Sequence, residues 1–149
     1  MAETILITGA TGLIGSALTK ELLQKGYQVN ALSRHPIAWA HPRLHTFSWD
    51  VAKMEVDPRS IDQVSTVIHL AGENIGKKPW TNKRRQEIIE SRTISAQLIF
   101  RALERTAHQV NSFISASASG YYGDCGDEVL TEDHDSGNSF LSRVCIQWE

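Results

Sequence analysis

The sequence predicts an α/β protein in which helices cover both faces of a doubly wound parallel sheet. Three observations lead to this fold class. Short apolar runs alternate with segments of helical periodicity along the 149 residues. A glycine-rich turn joins the first apolar run to the first helical segment. The composition, with 41% hydrophobic residues and a net charge of −2, is typical of a single ordered domain, which we assign to residues 1–149.

The first three elements form a strand–helix–strand unit. Thr4–Thr8 is a β-branched apolar run that stops at a glycine, as a strand buried on both faces does. A helix is expected from about Leu13 to Lys25 and a strand over Gln28–Ser33, which is the length that a right-handed parallel crossover needs. The helix is expected to bury four apolar residues at helical spacing, namely Ile14, Ala17, Leu18 and Leu22.

The same alternation continues along the chain. Strands are predicted over Leu44–Trp49, Thr66–Leu70 and Phe113–Ser117. The stretch before the fourth strand contains Pro58 and is expected to be a loop with a short helical turn. A long helix is predicted over Asn82–Arg105, which contains neither Gly nor Pro. This helix is expected to bury one broad face, formed by Ile88, Ser95, Ala96, Ile99 and Leu103.

The last residues have the pattern of one more helix. From Phe140 to Glu149 the spacing is helical, but the chain stops without a capping residue, a polar tail or a further strand. We therefore expect the 149 residues to be the front part of a longer protein, cut before the remaining sheet and the substrate region.

Charge and cysteine content exclude several classes of protein. The short basic cluster Lys83–Arg85 and the balanced charge give no field that would gather nucleic acid. Two cysteines, Cys125 and Cys145, make no disulfide framework, so a cytoplasmic protein is expected. No apolar run approaches the ~20 residues that span a bilayer, so no membrane partner is expected. His41 and His45 have a proline between them, and no metal site is predicted.

The strongest local signal is the segment ITGATGLIG, residues 7–15, which lies between the first strand and the first helix. Gly9 permits the tight turn, Gly12 lets the main chain approach a pyrophosphate, and Gly15 allows the helix to pack closely. The N-terminus of the helix offers unpaired N–H groups to the phosphates. The alternative is a glycine-rich turn without a ligand. The residues predicted to bind the dinucleotide here are Gly9, Thr11, Gly12, Leu13, Ile14 and Gly15.

The end of the second strand predicts which dinucleotide binds. Dinucleotide-binding folds that prefer NAD place an acidic residue there to bind the ribose 2′-hydroxyl. This chain has Ser33 and Arg34 instead. A guanidinium pairs a 2′-phosphate through two hydrogen bonds, so NADP is favoured over NAD. The alternative is that Arg34 is a solvated charge at a strand end.

With these motifs the chain resembles the short-chain dehydrogenase/reductase superfamily, in its extended, epimerase/dehydratase-like branch. ITGATGLIG is followed by WDV at the end of the third strand, HLAGENIG after the fourth and SASASGYYGD after the fifth. The segments LAGENIG, PWT, IIESR, GYYGD and FLSRVCIQWE are together similar to the atypical subgroup of nucleoside-diphosphate-sugar epimerase-like proteins labelled "epimerase family protein". The resemblance implies a Rossmann-like fold that binds NAD(P).

The resemblance also implies roles for residues after three of the strands. Asp50 and Val51 would lie against the adenine, with the carboxylate accepting a hydrogen bond. The residues that would line the ribose and pyrophosphate are Leu70, Ala71 and Gly72. Ser115 to Ser117 would lie beside the nicotinamide, with Ser117 nearest the position of the hydroxyl that polarises the substrate.

The main departure from the superfamily concerns the catalytic base. Ordinary members use a YxxxK pair on the last helix, but no tyrosine precedes a lysine by four residues here. Tyr121 and Tyr122 are the nearby phenols and are candidates for the acid or base, with packing or substrate contact as the alternative. The buried thiol Cys145 is expected to act as a small hydrophobe.

A second candidate group is cationic. Lys78, Trp80 and Arg92 would form a pocket for an anionic substrate, since the indole gives a flat apolar wall and the two cations give the counter-charge. A solvated loop and an ion pair on the helix surface are the alternative.

The sequence therefore supports two functions. The first is an NADP-dependent reductase- or epimerase-type enzyme acting on a small substrate such as a nucleotide sugar. The second is a protein that binds NADP without turnover and signals through a partner, which the missing tyrosine–lysine pair favours. A third alternative is a structural homodimer whose pocket is vestigial.

Overall fold

The computed structural model describes residues 2–149. Its strands are β1 (Thr4–Thr8), β2 (Gln28–Ser33), β3 (Leu44–Asp50), β4 (Glu55–Val56), β5 (Val64–His69) and β6 (Ser112–Ser115). Its helices are α1 (Leu13–Gln24), α2 (Asn82–Arg105) and α3 (Phe140–Trp148), with short 3₁₀ turns at Pro58–Ile61 and Ser119–Tyr121. None of these helices, within the described residues, is both long and apolar enough to cross a membrane.

The strands form one sheet in the order β4-β3-β2-β1-β5-β6. β1, β2, β3, β5 and β6 are parallel, and only the short β4 runs antiparallel to its neighbour. The chain winds outward from β1 in one direction through β2 and β3, and in the other through β5 and β6. The predicted doubly wound fold is confirmed, and its switch point lies at the carboxyl ends of β1 and β5.

The core has one layer on each face of the sheet. All five residues of β1 are buried, as expected for a strand covered on both sides. On one face Ile5, Ile7 and Val29 pack with Leu23 of α1. On the other face a second cluster joins the sheet to α2 and contains Leu6, Leu32, Ile61, Val64, Val67, Ile99 and Leu103.

The predicted inner face of α1 is confirmed in part, since Leu18 and Leu22 pack against the core, whereas Ala17 and Ile14 are exposed. Ile14 is 69% exposed, whereas Gly15, Thr19 and Leu23 are buried. The reason is the contact at Gly15, where an added Cβ would lie 2.1 Å from the carbonyl oxygen of Gly9. The helix must turn its glycine, and not the larger neighbour, toward the sheet.

The remaining differences concern element ends and one missed strand. β5 runs from Val64 to His69 instead of Thr66–Leu70, and β6 ends at Ser115, two residues before its predicted end. β4 was not predicted, because two residues are too short to show a strand pattern. On α2 the buried face includes Arg84 and Leu98 in addition to the predicted apolar residues, whereas Ala96 is only half-buried.

Candidate functional site

A cleft of about 800 Å³ opens at the switch point of the sheet. Its walls are the carboxyl ends of β1, β2, β3 and β5 and one side of α2, which is where parallel α/β sheets bind ligands. The volume is in the range of small-molecule and cofactor sites. Ten residues that the sequence marked for a dinucleotide border this cleft: Gly9, Thr11, Gly12, Ser33, Arg34, Asp50, Val51, Leu70, Ala71 and Gly72.

The phosphate turn, residues 9–15, forms the floor of the cleft between β1 and α1. Gly9 has a φ of +72°, and a Cβ there would lie 2.9 Å from the carbonyl carbon and oxygen of Leu70, so both backbone geometry and space require glycine. Gly12 precedes α1 with ordinary extended dihedral angles and no side chain caps the helix. The first amides of α1 are therefore left for another partner, which is the arrangement that attracts anions.

Three residues of the phosphate turn that were predicted to bind the dinucleotide do not border the cleft. The side chains of Leu13 and Ile14 are 92% and 69% exposed, and Gly15 packs against Gly9. Any contact of these residues with a dinucleotide would involve their main chain. Their role in binding stays a prediction.

The second strand ends in a cationic edge. Ser33 donates a hydrogen bond from its hydroxyl to the carbonyl of His35 at 2.6 Å, which fixes the turn after the strand. The side chain of Arg34 is exposed, borders the cleft and forms no ion pair with any residue in the range 2–149. A guanidinium without a carboxylate partner at this position is available to an anionic group of a ligand.

The third strand ends in a turn that Asp50 stabilises. Its Oδ1 accepts hydrogen bonds from the amides of Ala52 and Lys53 at 3.0 and 3.2 Å. Its Oδ2 lies 3.6 Å from the ammonium of Lys53. One carboxylate oxygen is thus used by the turn itself, and Oδ2 is the oxygen that can accept from a ligand.

The segment Leu70–Gly72 follows β5 and forms the opposite wall. The amides of Leu70 and Ala71 donate to the hydroxyl of Thr8, each at 3.1 Å. A Cβ at Gly72 would lie 3.0 Å from the guanidinium carbon of Arg92, so this glycine makes room for a side chain from α2. The wall needs small residues because the phosphate turn approaches it at Leu70 and the side chain of Arg92 from α2 approaches it at Gly72.

One side of α2 also lines the cleft, which was not predicted from the sequence. The residues of α2 that line the cleft are Glu87, Glu90, Ser91, Ile94 and Ser95. Their spacing of three or four positions places them on one side of the helix, and this spacing is the signal in the sequence that could have indicated the lining. Glu87 is 3.0 Å and Glu73 is 3.1 Å from the buried guanidinium of Arg84. The hydrogen bond from Arg84 holds the pKa of Glu87 below its usual value, so this carboxylate is charged at the cleft.

The predicted catalytic residues lie after β6, outside the lining of the cleft. The amide of Ala116 donates to the carbonyl of His69 at 3.1 Å, which keeps the end of β6 beside the end of β5. The exposed hydroxyl of Ser117 donates to the carboxylate of Glu149. Burial, together with the nearby charge of Glu132, raises the pKa of Tyr122, so its phenol keeps its proton.

Two residues of the predicted cationic pocket, Arg92 and Trp80, make contacts within the chain. Arg92 donates to the carbonyls of Glu73 and Ile88, and its guanidinium lies 5.0 Å from the ring of Trp148. Burial lowers its pKa. The indole N–H of Trp80 donates to the carbonyl of Ile75 at 2.8 Å. Arg92 therefore ties α2 to the wall of the cleft and to α3 instead of facing a substrate with Lys78 and Trp80.

The thiol of Cys145 is buried in α3. Its side chain is 3% exposed and its Sγ lies 3.7 Å from the carbonyl oxygen of Ala118. Burial raises its pKa, which keeps the thiol protonated and weakens it as a nucleophile. The prediction that this residue packs as a small hydrophobe is confirmed.

The chain is similar to known proteins in sequence. A sequence profile of the NAD dependent epimerase/dehydratase family matches residues 5–141. Epimerase family protein Mb2239 of Mycobacterium bovis is 34% identical over 150 residues, an alignment that covers 100% of this chain and 48% of that protein. The chain spans about half the length of the curated relatives it matches.

The structure is similar to solved structures that contain nicotinamide cofactors. Human epimerase family protein SDR39U1 (isoform2) with NADPH matches with a TM-score of 0.78 at 26% identity, covering 97% of this chain and 47% of that chain. MoeE5 in complex with UDP-glucose and NAD matches with a TM-score of 0.77 at 27% identity, covering 97% of this chain and 46% of that chain. Both likenesses extend over nearly all of the described fold.

Proposed function

The chain belongs to the NAD dependent epimerase/dehydratase family, and from this premise we propose that it binds NADP in the cleft of about 800 Å³. We further propose that the full-length protein is a reductase- or epimerase-type enzyme acting on a small substrate such as a nucleotide sugar. The observation that carries the proposal is the phosphate turn: the uncapped amides of α1 follow Gly9 and Gly12, which border a cleft large enough for a dinucleotide.

The residues present fit the groups of the cofactor. The amides of the phosphate turn would bind the pyrophosphate, and the open surface at Gly12 leaves room for it. Asp50 and Val51 would contact the adenine, and the Leu70–Gly72 wall would contact the ribose. Ser115 would lie on the nicotinamide side, because its strand ends next to β5.

NADP is proposed over NAD because of one side chain. Arg34 borders the cleft at the end of β2, where an acidic residue would select the 2′-hydroxyl of NAD. NADPH in the human relative supports this choice, whereas NAD in MoeE5 shows that the fold accepts either cofactor. The charge at this strand end is therefore the property to test.

The chemistry divides between the cofactor and the chain. A bound nicotinamide cofactor supplies or accepts a hydride. The chain would bind and orient the substrate through the hydroxyl of Ser117 and the phenols of Tyr121 and Tyr122. Since the pKa of Tyr122 is raised, this phenol would act as a hydrogen-bond donor or an acid in preference to a base. UDP-glucose in the MoeE5 complex supports a nucleotide sugar as the substrate class.

The second candidate is a protein that binds NADP without turnover. It is favoured by the absence of a tyrosine–lysine pair in the sequence and by the position of Tyr121 and Tyr122 outside the lining of the cleft. In that case the protein would sense bound NADP and would signal through a partner, without catalysing a reaction. A cytoplasmic location stays our prediction from the sequence for both candidates, and a homodimer stays an open alternative.

The test is a cofactor titration of the full-length protein by fluorescence, followed by turnover assays with sugar nucleotides, ketones and aldehydes. We expect NADPH to bind more tightly than NADH. Gly12→Val should weaken NADPH binding about a hundredfold or more, because a branched side chain takes the place of a phosphate. Gly76→Val is the matched control, since the nearest atom to a Cβ there is 3.6 Å away and the residue lies outside the cleft.

Each outcome decides between the candidates. NADPH binding together with turnover of one substrate class supports the enzyme. NADPH binding without turnover of any class supports the sensor. Equal affinity of Gly12→Val and the unchanged protein would contradict the cofactor site itself.

A further inference from the structure

We propose that the carboxylate of Glu149 is a proton acceptor that acts through the hydroxyl of Ser117, and that this pair replaces the tyrosine–lysine pair absent from the sequence. The inference rests on the proposed function and deepens it, since it names the groups that would move the proton of the substrate. The hydroxyl of Ser117 donates a hydrogen bond to Oε1 of Glu149. Ser117 follows β6 and Glu149 follows α3, so the fold brings together two residues that are 32 positions apart.

One face of α3 holds Glu149 against the segment that contains Ser117. Its side chains, spaced three and four positions apart, contact that segment in order: Ser142 donates to the carbonyl of Gly120 at 3.0 Å, and the Sγ of Cys145 lies 3.7 Å from the carbonyl oxygen of Ala118. The amide of Glu149 donates to the carbonyl of Cys145 at 3.0 Å, so the helical turn extends to Glu149. The register of α3 therefore places the carboxylate at Ser117, independently of the bond between the two side chains.

The pair lies next to the end of β5, beside the proposed cofactor cleft. The amide of Ala116 donates to the carbonyl of His69 at 3.1 Å, and Leu70, which follows His69, lines the cleft. Ser117 comes directly after that bond, and its side chain is exposed. A substrate bound between the nicotinamide end of the cleft and this rim would contact the hydroxyl.

The direction of the hydrogen bond determines what Ser117 can do. A hydroxyl has one proton and two lone pairs, and an ionised carboxylate only accepts hydrogen bonds. The proton of Ser117 is used by Glu149, so Oγ presents its lone pairs to a substrate. Ser117 is therefore arranged to accept a proton from a substrate alcohol, and not to donate one to a carbonyl.

Two other groups near Ser117 do not take up a proton. Burial raises the pKa of Tyr122, and nearby negative charges add to this effect. Burial also raises the pKa of Cys145. The phenol and the thiol therefore keep their protons, and the carboxylate of Glu149 is the group to which the Ser117 proton passes.

The proposed step is the oxidation of an alcohol. The C–H bond at the alcohol carbon breaks, and its hydride passes to the oxidised nicotinamide cofactor. The O–H proton of the alcohol passes to Oγ of Ser117 while the proton of Ser117 passes to Oε1 of Glu149. The products are a carbonyl compound, the reduced cofactor and a protonated Glu149. In the reverse direction Glu149 returns the proton through Ser117 to the carbonyl oxygen as the hydride returns to carbon.

Two variants of the full-length protein and their combination test the pair. Ser117→Ala removes the hydroxyl, and Glu149→Gln keeps the shape but cannot take up the proton. Glu104→Gln is the matched control, because this glutamate is also exposed and lies outside the cleft. The kinetic readouts are kcat and KM for the class of sugar nucleotide, ketone or aldehyde that the protein turns over with NADPH. The other readouts are the dissociation constant for NADPH and the carbon-13 resonance of the Glu149 carboxyl group.

We expect each single variant to lower kcat about a hundredfold while KM and the dissociation constant for NADPH stay within about threefold, because proton transfer is lost and binding is kept. The double variant should lie within about threefold of the single variants, since residues that act as a unit do not multiply their losses. Glu104→Gln should stay within about twofold of the unchanged protein. Ser117→Ala should shift the carboxyl resonance of Glu149 without any ligand, because the carboxylate loses its donor.

Several results would overturn the inference. A loss of about ten-thousandfold in the double variant would show that the two residues act separately. A raised KM with unchanged kcat in Glu149→Gln would make this residue a binding group only. NADPH binding without turnover of any class would also contradict the proton transfer.

Two further outcomes are decided by the resonance of Glu149 in Ser117→Ala. If Glu149→Gln does not fold, the kinetics of Ser117→Ala and this resonance replace it. If the unchanged protein binds neither NADPH nor NADH, the proposed function fails, and the resonance tests the pair by itself. In both cases a shifted resonance supports the Ser117–Glu149 pair, and an unchanged resonance contradicts it.

Discussion

The phosphate turn and the loop between β6 and α3, residues 116–139, use opposite means to build a site. In the phosphate turn the functional groups are main-chain amides, and glycines hold them in place through a positive φ at Gly9 and a close contact at Gly15. In the β6–α3 loop the candidate groups are side chains, namely Ser117, Tyr121 and Tyr122, which are exposed or half-buried.

This difference between a main-chain site and a side-chain site explains how much the sequence predicts about each region. A main-chain site depends on where the backbone can go, and glycine spacing records this in the sequence. A side-chain site depends on which rotamers and neighbours surround each group. The first region therefore predicts a ligand class, a diphosphate, whereas the second predicts only a set of groups that can donate hydrogen bonds.

The largest expected effect is that of Gly15→Ala in the phosphate turn. The new Cβ would lie 2.1 Å from the carbonyl oxygen of Gly9, so the helix or the turn must move. We expect the free energy of unfolding to fall by about 3 kcal/mol or more, measured by urea denaturation. Gly76→Ala should change it by less than about 0.5 kcal/mol. Similar stability of the two variants would show that the turn is not held by this contact.

The next effect concerns the cofactor preference. Arg34→Leu should weaken NADPH binding about ten- to a hundredfold and leave NADH binding within about twofold, because the lost hydrogen bonds are those to the 2′-phosphate. Arg101→Leu serves as the control, since this exposed arginine lies outside the cleft. Equal losses for the two cofactors would remove the assignment of Arg34.

A smaller effect is the pH dependence of stability through His69. Burial lowers the pKa of His69 from 6.5, so the unfolded chain binds more protons than the folded chain just below pH 6.5. The stabilisation is fully present above pH 6.5 and is lost as the pH falls toward the lower folded pKa. We expect the melting temperature of His69→Gln to depend less on pH in this window than that of the unchanged protein. His108→Gln, at an exposed position, should keep the original dependence.

The smallest effect is expected in the β6–α3 loop. Tyr122→Phe should change the free energy of unfolding by less than about 0.5 kcal/mol and NADPH affinity by less than about twofold, because the residue is half-buried and does not border the cleft. If the protein turns over a substrate, the same variant should lower kcat about tenfold or more, with Tyr121→Phe as the comparison. A large loss of NADPH affinity in Tyr122→Phe would make the loop part of the cofactor site and end the contrast between the two regions.

The sequence predicted those features that depend on neighbours in the chain. The alternation of elements and the glycine spacing are local patterns, and both appear in the structure as expected. At the start of α1 the inner face was predicted wrongly, because hydrophobicity favours Ile14, while the close contact with Gly9 requires Gly15. Periodicity alone does not record such a contact.

Features that depend on distant residues were not predicted. Thr8 and His69 are 61 positions apart, and their hydrogen bond has no signature in the sequence. The lining from α2 required knowing which side of that helix faces the sheet end. The contacts of Arg92 are a tertiary result of the same kind, since its guanidinium reaches two carbonyls and the ring of Trp148.

The interlock of Gly9 with Gly15 and with the carbonyl of Leu70 has a thermodynamic consequence for recognition. Three segments of main chain share contacts too close for independent movement, so the loop already has its ligand-ready shape. If the turn binds a diphosphate as proposed, association would require little loss of backbone entropy, and the affinity would come from preorganised dipoles instead of induced fit.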